Sequence, residues 1–124
     1  MSHYHTEYYL TVRKVKNSQQ FDELSEELKK YDLLYYAFDS GTYTEKNGEA
    51  FFCPFEGVTW FNHAADMIMI SEKFPKMYFE LEGIGEEYGD FWKEYYHDGE
   101  CEVCRGEVVF EQPKKVQWTE LIPF

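Results

Sequence analysis

The chain is poor in basic residues, in cysteine and in long apolar runs, and each shortage narrows what it can be. Its 124 residues carry 12 Lys plus Arg against 24 Asp plus Glu, a formal net charge of −12. A surface so short of cations repels nucleic-acid phosphates and anionic lipid, and is drawn instead to basic grooves on other proteins. Direct nucleic-acid binding is therefore disfavoured. No apolar run reaches the roughly 18–20 residues of a membrane span, and Met1-Ser2-His3-Tyr4 has neither the basic nor the apolar part of a signal peptide, so a cytoplasmic protein is expected. Cysteines are only three, Cys53, Cys101 and Cys104, an odd number without secretory context, and a disulfide framework is not indicated. There is no internal repeat, Pro/Ser-rich linker or low-complexity tract to mark a second domain, so a single domain over 1–124 is expected.

What is present is aromatic. Phe, Trp and Tyr make up 20% of the chain and hydrophobic residues 44%, enough to build a core. Tyr8, Leu10 and Val12 alternate with Tyr9, Thr11 and Arg13, the period of a half-buried strand. Asn17 followed by Gln20 makes a capping-box start, and Phe21, Leu24, Leu28 and Tyr31 recur at helical spacing, predicting a helix over 18–30. The short run 33–38 reads as a strand, Asn47-Gly48 as a hairpin turn returning 49–52 onto Tyr43 or the strand before it, and 57–61 as another strand. Asn62 is placed to cap a second helix with His63, Met67, Ile70 and Phe74 on one stripe, which Pro75 stops. Met77, Phe79 and Leu81 then point inward and Tyr78, Glu80 and Glu82 outward. This order predicts an α+β, ferredoxin-like split βαβ sandwich, with two helices on one face of an antiparallel sheet. Strands over 90–97 and 102–110, joined at Asp98-Gly99, predict an added C-terminal hairpin spanning about 88–111.

Charge is concentrated. Between Glu80 and Glu107 ten acids face only Lys93 and Arg105, a net −8 in 28 residues. Glu80 and Glu82 share a strand face, where their repulsion costs stability unless it is screened. Interleaved aromatics give the composition of an interface whose rings bury while its charges steer. The expected partner-binding residues are Glu80, Glu82, Glu86, Glu87, Asp90, Trp92, Glu94, Tyr96, Asp98 and Glu100, directed at a basic groove. A charge run is more often a plain solvated face, but −12 exceeds the magnitude of about 2–8 that solubility needs in a small domain.

Chemistry-bearing patterns are sparse. Cys101 and Cys104 have the spacing of half a zinc knuckle, with His97 upstream, which offers the alternative of a small zinc-stabilised structural or interaction protein. A redox role is less favoured, because a reactive thiolate needs positive surroundings and this pair is flanked by acids. Gly83-Ile84-Gly85 is followed by Glu86-Glu87 where a phosphate would sit, so it reads as a turn. His63 reads as a satisfied core or boundary histidine rather than a base. No catalytic pattern, cofactor or metal is called for, and no enzyme is expected; aromatic richness alone leaves room for a small ligand on the sheet.

The stretches Trp60-Phe61-Asn62-His63, Ser71-Glu72-Lys73-Phe74-Pro75 and Tyr78-Phe79-Glu80-Leu81-Glu82-Gly83, followed by the acidic turn and aromatic strand from Gly85 to Gly99, resemble small phage and plasmid proteins of the YubB ferredoxin-like kind. The resemblance covers about 58–110. It implies a mobile-element origin, and proteins of this size and charge are similar in character to inhibitors of host defence, including anti-CRISPR proteins and nucleic-acid mimics. The function implied by that likeness is an inhibitor pressed onto the basic nucleic-acid channel of a defence nuclease inside the bacterial host. The carboxylates would stand in for phosphates there.

Overall fold

The computed structural model describes residues 6–30, 40–53, 60 and 62–116. The strand expected over 33–38 lies outside them, as does the one expected over 57–61 apart from Trp60, which is buried and not part of a strand. Tyr31, Pro54 and the side chain of Cys53 are likewise outside what is described.

The described elements run β1 (Glu7–Arg13), α1 (Ser18–Lys29), β2 (Ser40–Thr44), β3 (Glu49–Cys53), α2 (His63–Lys73), β4 (Tyr78–Ile84), β5 (Phe91–His97) and β6 (Glu100–Arg105). The six strands form one antiparallel sheet in the order β2-β3-β1-β4-β5-β6. The class is α+β.

Alternation sorts the sheet into a buried and an open side. Leu10 lies opposite both Phe52 and Leu81, and Val12 opposite both Ala50 and Phe79; Phe79 in turn faces Tyr96. All of these are buried, and Leu24 and Leu28 of α1 and Met67 and Ile70 of α2 join the same cluster. Each Val, Leu, Ile, Phe or Met among them contributes about 1.5–3 kcal/mol when taken from water.

Helix ends show which local signals act. Asn17 accepts from the Gln20 N–H at 2.9 Å, and the Gln20 side chain reaches back to the Lys16 N–H at 2.7 Å, one residue beyond the Asn17 N–H of the expected reciprocal box. Asn62 sits at the start of α2, but its backbone (φ −107°, ψ 30°) is not extended and its side chain makes no capping bond. Without the extended backbone that an N-cap requires, the carboxamide is not carried over the first turn. Phe74 and Pro75 close α2 where expected. Between the helices, Glu27 is buried and accepts from Lys73 at 2.7 Å and Lys30 at 3.1 Å. Burial alone would raise its carboxyl, but these lysines hold it below the usual carboxylate range.

The last strand differs from its expected bounds of 102–110. Asp98 (φ 44°) and Gly99 (φ 84°) make a two-residue turn with both residues left-handed, so pairing resumes at once with His97 opposite Glu100. The Gly99 N–H is held on the Ser71 hydroxyl of α2 at 2.9 Å. Pairing ends at Gly106, where a Cβ would sit 1.9 Å from the Phe91 ring, and Val108, Val109 and Phe110 are exposed beyond it.

Candidate interaction face

The open side of the sheet is built by the other half of each strand. One row across it runs Phe51, Thr11, Glu80, Tyr95, Glu102; the next runs Arg13, Tyr78, His97, with Glu100 opposite His97; a third runs Tyr9, Glu82, Lys93, Cys104. Tyr78 is 49% and Tyr95 39% exposed, large values for rings on a sheet. Tyr78 stacks on His97 at 3.9 Å with planes 2° apart, and His97 Nδ1 is hydrogen-bonded to the Met77 carbonyl at 3.0 Å. A cleft of about 310 Å³ opens here between Arg13, Tyr78, Tyr95, His97, Glu100 and Glu102.

The repulsion expected between Glu80 and Glu82 is relieved by their surroundings. Glu80 lies 3.2 Å from Arg13 Nη1 and 3.5 Å from Lys93 Nζ, cations supplied by the neighbouring strands, and Arg13 also reaches Glu49 at 3.6 Å. Glu82 stands beside Lys93 in register. Glu86 and Glu87 are exposed in the turn between β4 and β5. Asp90 closes that turn: its N–H donates to the Glu87 carbonyl at 3.0 Å, its carbonyl accepts from Gly85 at 2.8 Å, and its carboxylate accepts from Arg105 at 2.7 Å. Asp98 lies exposed in the β5–β6 turn, and Glu100 and Glu102 are exposed on β6.

Three of the expected surface residues turn the other way. Glu94 and Tyr96 are 3% and 1% exposed, and Trp92 is half-buried beside them, so Glu94 and Tyr96 are corrected from contact residues to core residues. The physical reason is parity. Glu94 faces Leu81 and Tyr96 faces Phe79 on the buried side. The Glu94 carboxylate accepts from His63 Nε2 at 2.8 Å, Trp92 Nε1 at 2.6 Å and the Tyr96 hydroxyl. Gly83 makes this possible: a Cβ there would lie 2.4 Å from Trp92, so only glycine lets the indole lie across β4 toward Glu94.

Burial pushes the Glu94 carboxyl up, but the bonds from His63, Tyr96 and Trp92 outweigh it and hold the group below the usual range. His63 is raised, first by its bond to Glu94 against the lowering by burial, and further by the Glu94 charge, the Trp60 backbone and Asp66. Tyr96 and Tyr8 are raised, in each case chiefly by burial and then by Glu94. Trp60 packs edge-on to Tyr8 at 5.4 Å and donates to Asp66 at 2.8 Å. His63 is thus the satisfied boundary histidine expected, bonded through Nε2 to the Glu94 carboxylate, and among the described residues no buried side-chain nitrogen or oxygen lacks a partner.

The zinc alternative meets a geometric obstacle. Cys101 and Cys104 are three apart on β6, and odd spacing along a strand sends side chains to opposite faces. Cys101 lies beside Tyr96 on one side and Cys104 beside Lys93 on the other. No group of three His, Cys, Asp or Glu that could hold a metal ion occurs among the described residues. No helix there is long and apolar enough to cross a membrane.

No protein-family model matches the chain, and neither curated proteins nor solved structures show a significant match to it.

The open face is only partly visible in the sequence. Arg13, Lys93, Tyr95 and Glu102 take part in it and are not among the expected contacts. The signal available for them is the period of two itself, which places Tyr95 and Lys93 on the side of Glu80 once Phe79 is known to be inside.

Proposed function

We propose that the protein is a binding module that lays its open, acidic and aromatic sheet face against a basic surface on another protein, and does no chemistry of its own. The observation that carries this reading is the row Glu80–Tyr95–Glu102 with Tyr78 and Glu100 beside it: exposed rings set among carboxylates on a sheet face over which no described helix packs. Rings of this kind supply rigid contact area, and carboxylates favour partners rich in Lys and Arg. The same reading takes the strand order as a ferredoxin-like sandwich, with both helices on the buried side and β5–β6 as the hairpin added at its edge. It takes the partner as the nucleic-acid channel of a bacterial defence nuclease, blocked in the host cytoplasm by a phage or mobile-element inhibitor of the anti-CRISPR kind. Carboxylates displace phosphates from such a channel by occupying the same Lys and Arg side chains.

The test is a nuclease inhibition assay over a panel of purified defence effectors. Inhibition by the wild-type protein is expected to weaken as salt rises from 0.1 M to 1 M, as the Debye length falls from about 10 Å to about 3 Å. The variant carrying Glu82→Gln, Glu100→Gln and Glu102→Gln together is expected to lose inhibition with its melting temperature preserved. Undiminished inhibition by that triple variant overturns the proposal.

A further inference from the structure

The register of β5 and β6 decides which backbone groups of the last strand are available to another chain. Continued by one pair, it sets Phe91 opposite Gly106, and the Gly106 N–H donates to the Phe91 carbonyl at 2.9 Å. Hydrogen-bonded pairs alternate with non-bonded pairs along an antiparallel ladder. Cys104, Glu102 and Glu100 therefore turn their backbone groups inward to β5, whereas Arg105, Val103 and Cys101 turn theirs to the outer edge. Among the described residues no strand pairs with that edge. A free edge of this sort is a template for strand pairing.

The side chains of β6 add a pattern to the edge. Glu100 and Glu102 stand on the open side, with Tyr95 next to Glu102, while Val103, 55% exposed, stands on the opposite side. We propose that β6 receives an extended segment of the basic partner as a seventh strand, bonded to the N–H and C=O groups of Cys101, Val103 and Arg105. This rests on the basic-partner reading above and gives it a backbone geometry. The incoming strand carries Lys or Arg at the positions that face Glu100 and Glu102, and an aliphatic residue on its other face, against Val103. A second copy of this chain fits poorly. Two β6 strands paired about Val103 bring the two Glu102 carboxylates onto the same face, diagonally across the join, where like charges repel.

The probe is a capped eight-residue peptide of alternating Lys and Val, titrated at low salt by calorimetry and by amide chemical shift and exchange. A matched peptide is N-methylated at the valines whose N–H would pair. Val103→Pro deletes an outward N–H and leaves the bonds to β5 in place, since proline is tolerated where a strand's N–H faces solvent. Expected is saturable binding with new protection of the Cys101, Val103 and Arg105 amides, weakened at least tenfold both by N-methylation and by Val103→Pro. If neither change weakens binding but Glu100→Gln with Glu102→Gln does, the strand addition fails and the charged-face reading stands. No saturable binding, or binding indifferent to all of these changes, overturns it. Protection of the same three amides in the free protein, rising with its concentration, assigns the edge to a second copy and overturns it too.

Discussion

Glu80 and Glu94 sit on adjacent strands of one sheet, yet the protein treats them in opposite ways. Glu94 looks into the core and accepts from His63, Trp92 and Tyr96; Glu80 looks out from the sheet between Arg13 and Lys93. A carboxylate taken from water must have its oxygens occupied by placed donors, because desolvation is otherwise uncompensated. One left at the surface needs only nearby cations, and water screens the rest. The same residue type is a fixed structural joint on one side of the sheet and a screened surface charge on the other.

Breaking the inner joint gives the largest effect. Glu94→Ala strands His63, Trp92 and Tyr96 together and is expected to cost about 3–5 kcal/mol in urea unfolding. Replacing Glu94 and His63 jointly by leucine should recover only the part due to His63, because Trp92 Nε1 and the buried Tyr96 hydroxyl still lack their acceptor. Acidity probes the same pair. Because the Glu94 pKa is lowered on folding, its contribution is present above the ordinary value of 4.5 and lost as pH falls through the folded value. Because His63 is raised, its contribution is full below 6.5 and is lost as pH climbs through the folded value. Melting temperature against pH should therefore fall on both flanks, and His63→Gln should flatten the alkaline one.

Next in size is Gly83→Ala, which drives a methyl into the Trp92 ring and should cost about 1–3 kcal/mol by overpacking, with a shifted indole N–H resonance as its spectroscopic mark. Glu80→Gln is smallest. Removing the Glu80 charge from between Arg13 and Lys93, whose side chains are themselves 46% and 44% exposed, should change stability by about 0–1 kcal/mol, less still in high salt. A loss from Glu80→Gln as large as that from Glu94→Ala would erase the distinction between the faces.

These two carboxylates also show how far the sequence could be read. Tyr8, Leu10 and Val12 declare their side of β1 because their neighbours are more polar, and Asn17 with Gln20 declares a helix start through bonds made within four residues. β5 offers no such contrast. Trp92, Glu94 and Tyr96 form one row, Phe91, Lys93 and Tyr95 the other, each with a charge between rings, so the period of two cannot say which row is inside. The decision is made at long range by His63, 31 residues earlier, whose place on the buried stripe of α2 was the available clue. Cys101 and Cys104 teach a related lesson: their spacing suggests a ligand pair only until the strand is found to include both. Asn62 has the right residue at the right place and lacks only the backbone angle.

The position of β1 has a consequence for how the protein comes to be folded. This central strand leaves the ribosome ahead of the other five, but Thr11 meets Phe51 only 40 residues later and Glu80 only 69 residues later. Until those partners are synthesised, Tyr8, Leu10 and Val12 travel as an unpaired apolar ribbon. Closing such distant pairings delays the reward for the chain entropy lost, which slows folding relative to helical proteins of equal size. The β2–β3 and β5–β6 ribbons, closed by short turns, should form early, and protection of the β1 amides against exchange during refolding should arrive last.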